Sequence, residues 1–217
     1  MKYGLYLTAI AAFFVSAFFV ITYASGYKVD ITNRKLNQTG LISVTTDNAD
    51  VYLGDKLIGN GKITERDLTP GSYNITVKKE GYFDWNKEIE LDPGQAEIIN
   101  YIVLFKQNPE VKEYQVEQAD FLTKFTDTDG LQTTNNEIYQ NSNFVTRFAK
   151  DVFGACWYPD RRYLAFTNDN KLKIIEIDGT NEISLFDKSS QTPVVFVNSG
   201  RVVIFENNSK IYQAQIR

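Results

Sequence analysis

The sequence predicts an all-β chain carried on one N-terminal transmembrane helix. Three observations lead there. Leu5 to Tyr23 run for 19 positions without a charge. From Gly40 onward, apolar residues recur with a period of two in short runs closed by Gly, Pro, Asn and Asp, the pattern of half-buried strands joined by tight turns. The composition, 43% hydrophobic and 14% aromatic, supplies ample core material and excludes disorder throughout.

Residues 1–26, MKYGLYLTAIAAFFVSAFFVITYASG, are expected to form the membrane segment. At about 1.5 Å rise per residue, the apolar run nearly matches the roughly 30 Å hydrocarbon slab of a bilayer. A buried helix of a water-soluble protein carries a polar stripe, and this one has none. Two membrane readings fit. A retained signal anchor is favoured by length, because the apolar region of a cleaved signal spans only about 7–15 residues. Thr22-Tyr23-Ala24 is a passable cleavage site for the other. Charge leaves the orientation open, with Lys2 before the run and Lys28, Arg34 and Lys35 after it. A tail of only four residues before the run is the usual shape of an anchor that leaves the rest outside. The expected location is therefore the cell membrane, single-pass, with the bulk of the chain extracytoplasmic.

From Tyr27 on, the chain keeps all 27 acidic residues and every basic one except Lys2, a net charge of −5. Nucleic-acid binders need a concentrated basic surface, so no nucleic-acid partner is expected. Cys156 is the only cysteine and can form no internal disulfide. Between Ala155 and Trp157 it reads as a small buried residue.

Residues 27–39 form a polar stalk in which Tyr27 to Thr32 alternate enough for a short strand. Between 40 and 105, LISV is followed by the turn residues TTDNAD, and VYLGDKLIG holds two strands around Gly54-Asp55. Such a Gly-X loop supplies the positive φ that a type II′ hairpin needs. In LTPGSYNITVKKEGYFDW, Tyr73, Ile75 and Val77 fall on one face. After the turn at Lys79-Glu80-Gly81, Phe83, Trp85, Ile89 and Leu91 share a face of the return strand. Asp92-Pro93-Gly94 turns the chain into a last strand, EIINYIVLF. Five or six such strands read as a small β-sandwich.

The succession NADVYLGDKLIG, LTPGSYNITVKKEGYFDW, then EIEL before PGQ resembles a PEGA domain. The Leu68 to Tyr73 run, Gly81-Tyr82 and Trp85 carry the resemblance, and Thr-Pro-Gly-Ser at 69–72 stands where the namesake has Pro-Glu-Gly-Ala. That family is a small β-sandwich found mainly in surface and envelope proteins of prokaryotes. It brings no known catalytic residues, so the resemblance implies a binding or spacer module. Glycosylation acceptors occur at Asn37, Asn74 and Asn207 and matter only in a host that modifies them.

Residues 106–119 are polar and charged, a plausible linker. Within 120–217, the segments 131–140, 163–177 and 202–216 align as strand, Asn/Asp-rich turn, strand, with turns spaced by roughly 33 and 39 residues, near the one-blade repeat of propellers. Apolar or aromatic strands precede the second and third, in ACWYPDRRYLAFT and PVVFVNSGRVVIF. The region is similar in architecture to blades of WD40-like or TolB-like propellers. It lacks their WD and GH signatures and has fewer blades than the typical four. It reads as a partial propeller-like or irregular β domain.

Missing chemistry narrows function. Without histidine, Ser-His-Asp and Cys-His devices are impossible, and no phosphate-cradling glycine motif occurs. Asp127 and Asp129 in FTDTDG resemble the start of a calcium loop. With Asp127 first, however, Ile138 occupies the place of the bidentate Glu, and turn chemistry alone explains Asp-Gly. Asp84 with Glu88, or Glu88 with Glu90, offer carboxylate pairs only as any strand does. Trp85 could stack on a sugar, but its face marks it as core. Tyr158 and Arg161 are candidate partner-binding residues, because adjacent Trp157 and Tyr158 point to opposite faces of a strand and Tyr and Arg are common interface anchors. No cofactor and no catalysis are expected. The expected role is binding or scaffolding toward an envelope protein or polysaccharide. The alternatives are a subunit of a multi-chain surface complex or a carboxylate-dependent glycan hydrolase.

Overall fold

The computed structural model describes residues 2–24, 26–30, 35–115 and 126–217. Of the expected segments, stalk residues 31–34, linker residues 116–119 and residues 120–125 lie outside the described ones.

Helix α1 spans Lys2–Ala24, and its stretch Tyr6–Ala24 is long and apolar enough to cross a membrane. Phe13, Phe14, Phe18, Phe19, Val20 and Ile21 are each more than half exposed. Burying side chains of this size is worth about 1.5–3 kcal/mol apiece, so the uncovered helix suits lipid far better than water. Two of its hydroxyls are closed internally: that of Ser16 donates to the Phe13 carbonyl and that of Thr22 to the Phe18 carbonyl, as an apolar medium favours.

The residues divide into two compact units, 1–77 with 88–102 and 78–87 with 103–217. In the first, β1 (Tyr27–Asp30) pairs antiparallel with β2 (Lys35–Gln38), so the polar stretch after the helix contains a small hairpin. The sheet that follows is built on β3 (Gly40–Leu53) and β4 (Lys56–Leu68), joined by Gly54-Asp55 with Gly54 at φ 59 and Leu53 opposite Lys56. Only the first loop residue has positive φ, as a type II′ turn demands. The register shifts between Thr45 and Asp50, where Asn48 takes φ 50. Before this bulge, Leu41 to Val44 have parallel β7 (Ala96–Ile99) beside them. Elsewhere β3 neighbours β5 (Gly71–Lys78), which in turn neighbours β6 (Trp85–Leu91), a strand whose first three residues are counted with the second unit. A bulge lets one long strand change partners in this way. Ile42, Val44, Val51, Ile75, Val77, Leu91 and Ile99 are buried, matching the expected alternation.

Among the described residues the second unit contains three antiparallel sheets. The first holds β9 (Leu131–Thr134), β10 (Glu137–Gln140) and β11 (Asn143–Arg147). The second holds β12 (Val152–Trp157), β13 (Tyr163–Asn168), β14 (Lys171–Glu176) and β15 (Ile183–Asp187). The third holds β16 (Val195–Val197), β17 (Val202–Asn207) and β18 (Lys210–Gln215), with β8 (Val111–Glu113) beside β18. The three aligned sequence segments are three hairpins with two-residue turns, their closing pairs being Thr134–Glu137, Asn168–Lys171 and Asn207–Lys210. Asp169, Asn170, Asn208 and Ser209 all take positive φ, as type I′ turns require. Strand β8 falls within the expected linker. Its three side chains are exposed, so no periodic pattern betrays a strand held by backbone pairing to β18.

The core of this unit has two main clusters. One joins Cys156, Tyr158, Tyr163, Ala165, Val203 and Phe205, with Phe83 packed against it. The other joins Trp157, Leu164, Phe166 and Ile175. Strands β12 and β13 are thus covered on both faces.

Candidate functional site

Asp127, Asp129 and Arg161 meet. Arg161 lies in the turn after β12, at φ 56, its amide donating to the Tyr158 carbonyl at 2.8 Å. Its Nε reaches Asp127 Oδ2 at 3.0 Å, its Nη2 the same carboxylate at 2.8 Å, and its Nη1 Asp129 Oδ2 at 3.2 Å. This is a forked guanidinium–carboxylate pair. The neighbouring carboxylates, Asp127 foremost, raise the guanidinium's already high pKa. Asp127 Oδ1 also accepts the Asp129 amide at 3.2 Å, and the Asp129 carbonyl accepts Trp157 Nε1 at 2.8 Å. The DTDG stretch is therefore a turn latched to β12, with a guanidinium between the two carboxylates. Among the described residues no group of three or more acidic, Cys or His side chains is placed to hold a metal.

Tyr158 is not a surface anchor. It is 1% exposed, its ring packs edge-on against Phe105, Tyr163 and Phe196, and its hydroxyl donates to the Gly200 carbonyl at 3.1 Å. Gly200, at φ 79, sits so close that a Cβ there would meet the ring at 2.3 Å. Opposite faces of the strand do separate Trp157 from Tyr158, but neither face is open to solvent.

Trp85 is buried, as its face predicts, but it serves a polar role as well. Its indole Nε1 donates to Oε1 of Glu176, a carboxylate only 3% exposed. The same oxygen accepts from the Tyr163 hydroxyl at 3.1 Å and Asn181 Nδ2 at 3.2 Å. Oε2 takes the Lys87 ammonium at 2.8 Å, and Lys87 also reaches Asp178 at 2.7 Å. Asn181 closes the arrangement through two bonds to the Asn86 backbone, at 2.9 and 3.0 Å. A buried carboxylate is tolerable only with a cation and saturated acceptors, and Glu176 has both. Burial, reinforced by Glu176, raises the Tyr163 phenol above its ordinary range. In KLKIIEI this Glu follows Leu172 and Ile174 on the buried face of β14; what makes its charge tolerable there is a set of partners about ninety positions away in the chain, which no local pattern reveals.

The remaining carboxylate candidates are ordinary. Asp84 pairs with Lys78 at 3.4 Å, and Glu88 accepts the Ser72 hydroxyl. Cys156 is fully buried, with its thiol toward the Val194 carbonyl at 3.6 Å. Burial pushes that thiol up to about 12, so little thiolate forms near neutrality. Sequence reasoning missed Lys188, which is 0% exposed and donates to Thr167 Oγ1 at 2.9 Å and to the Ser190 and Thr192 carbonyls at 2.6 Å.

Comparison with known proteins places the first β unit's strands. Residues 39–104 match the PEGA domain family. The PEGA match takes in β3 to β7 and less than a third of the chain. Its Leu68 to Tyr73 turn is closed by the Tyr73 hydroxyl, which donates to the Thr69 carbonyl at 2.7 Å. No curated protein matches the chain. Among solved structures, TolB from Acinetobacter baumannii is similar at a TM-score of 0.32 and 11% identity, over 83% of this chain and 55% of TolB.

Proposed function

We propose that the chain is a single-pass membrane protein with its bulk extracytoplasmic, a non-catalytic binding or scaffold component of the cell envelope directed to protein or polysaccharide. The observation that carries this reading is the succession of an uncovered apolar helix, Tyr6–Ala24, and a PEGA domain over 39–104. The helix fixes the chain to the membrane, the PEGA domain spaces it outward, and the C-terminal β unit, propeller-like in its hairpin repeats, presents the binding surface.

The non-catalytic reading is supported by how three of the carboxylates are used. Glu176 is saturated by internal donors, and Asp127 and Asp129 are held by Arg161. General acid–base work needs a carboxyl free to reach substrate. Retention of one envelope protein or cell-wall polymer by the immobilised full-length protein in detergent tests the reading. Turnover of a cell-wall glycan, lost on changing one carboxylate, would replace it with the hydrolase.

A second reading, a subunit of a multi-chain surface complex, is favoured by one observation. Among the described residues the β9–β11 sheet has three strands where its two companions have four, and β11 displays Phe144 at 57% exposure. A mass in detergent that rises with concentration supports it, and a strict monomer opposes it.

A further inference from the structure

The loop after β15 is built with unusual rigidity for a surface segment, and it borders a polar cleft. The β12–β13 register shifts between Phe153 and Cys156, inserting an extra residue into β12. Gly154 in this bulge takes φ 58, and a Cβ there would lie 2.8 Å from Gln191 O, Thr192 C and Pro193 N. Only glycine lets the loop seat on the bulge. From the other side, buried Lys188 holds the loop by two of its carbonyls and holds β13 by the Thr167 hydroxyl. Ser189 is fixed at its amide and hydroxyl by Asn207 Oδ1, at 3.0 and 2.7 Å. The Lys188 amide donates to the Asn170 carbonyl at 2.8 Å, in the type I′ turn of β13–β14.

Between bulge, loop and turn lies a cleft of about 290 Å³, lined by Phe153, Asp151, Thr167, Asn170, Ser189 and Gln191 together with the paired Lys150 and Asp169. The polar heads of Asp151, Asn170, Ser189 and Gln191 are exposed on backbone that is already pinned, so binding would order few groups. The charges are spoken for: Lys150 is paired to Asp169, and the Lys188 ammonium is saturated by its three acceptors. The Asp151 carboxylate has no ion pair among the described residues. An anion would meet that carboxylate without a free cation to offset it. A neutral polyol would find one ionised acceptor, two amides and a hydroxyl, with an aromatic ring for its C–H face. The volume stands at the lower end of ligand pockets, roughly 300–1,000 Å³, which suits one ring of a longer chain.

We propose that this cleft binds a single ring of a neutral saccharide, stacked on Phe153 and hydrogen-bonded by Asp151, Asn170 and Gln191. The proposal rests on the binding reading above and names the ligand class and the place. The test uses the full-length protein in a sugar-free zwitterionic detergent. Neutral gluco-, manno-, galacto- and N-acetylglucosamine-type oligosaccharides serve as probes, followed by saturation-transfer NMR and titration. At least one should bind. Asp151→Ala and Gln191→Ala, both exposed changes that leave the melting temperature in place, should each weaken it about tenfold, in keeping with the loss of a hydrogen bond to a polar ligand. Phe153→Leu should abolish the ring-proton transfer. Absence of binding by every probe, or binding that all three variants leave intact, overturns the proposal. Retention of an envelope protein by wild type and variants alike would also overturn it while leaving the broader binding reading in place.

Discussion

The indole Nε1 of Trp85 donates a hydrogen bond to the buried carboxylate of Glu176. Trp85 and Glu176 belong to the same compact unit, and the indole is thereby tied to β14 by a polar contact as well as by its burial. Lys87→Met would leave Glu176 buried without its nearest cation. It should cost about 3–5 kcal/mol, against about 1–3 kcal/mol for Trp85→Phe, which removes one neutral donor among several. Chemical denaturation in detergent measures both. A Lys87→Met cost no greater than that of Trp85→Phe would show that the Lys87 pair does not hold Glu176 in place.

Stability should rise with pH just above neutrality. Burial lowers the Lys188 ammonium to about 8, below the roughly 10.4 of an unfolded lysine. Between these values the unfolded chain binds more protons than the folded one, so unfolding free energy climbs with pH, by at most about 1.4 kcal/mol per pH unit for one proton. Cys156 acts the other way. With its thiol raised to about 12, the folded state holds the proton longer than an unfolded cysteine at about 8.5, and stability falls as pH passes through that range. The net expectation is a rise from about pH 8 and a flattening near 9. Lys188→Met should remove the rise, and Cys156→Ala should extend it. Melting temperature against pH reads both.

Tyr158 and its neighbour Arg161 should differ sharply. Truncating the core ring, Tyr158→Ala, should cost about 3–5 kcal/mol. Arg161→Gly loses only exposed ion pairs, worth about 0–1 kcal/mol, and relieves a left-handed backbone position, so it should be nearly neutral. Calcium should leave the melting temperature unchanged. A calcium-dependent rise would restore Asp127 and Asp129 as ligands.

What the sequence reveals here is what is encoded locally. The two-residue turns at Gly54-Asp55, Asp169-Asn170 and Asn208-Ser209 are written in residues that tolerate positive φ, and the alternation through Ile75 and Val77 names its buried face. Three features depend on contacts that the alternation of apolar and polar residues does not reveal. Strand β8 is recognised only by its pairing with β18. Glu176 lies on the buried face of β14 with Leu172 and Ile174, but the donors that balance its charge, Trp85 and Lys87, are about ninety positions away. Lys188 reads as a surface charge until the carbonyls of Ser190 and Thr192 close around it.

A charge in the middle of α1 should impair membrane insertion. Val15→Arg should add about 2.5–3.5 kcal/mol to the insertion cost and lower the carbonate-resistant membrane fraction. An unchanged fraction would mean that α1 is not the anchor.

Topology is the most direct test of the central reading. A Cys156→Ala chain carrying Asp55→Cys, at the exposed tip of the β3–β4 hairpin, can be treated with a membrane-impermeant maleimide on intact cells. Labelling before lysis is the expected result. Labelling only after lysis would place the PEGA domain inside and contradict the account.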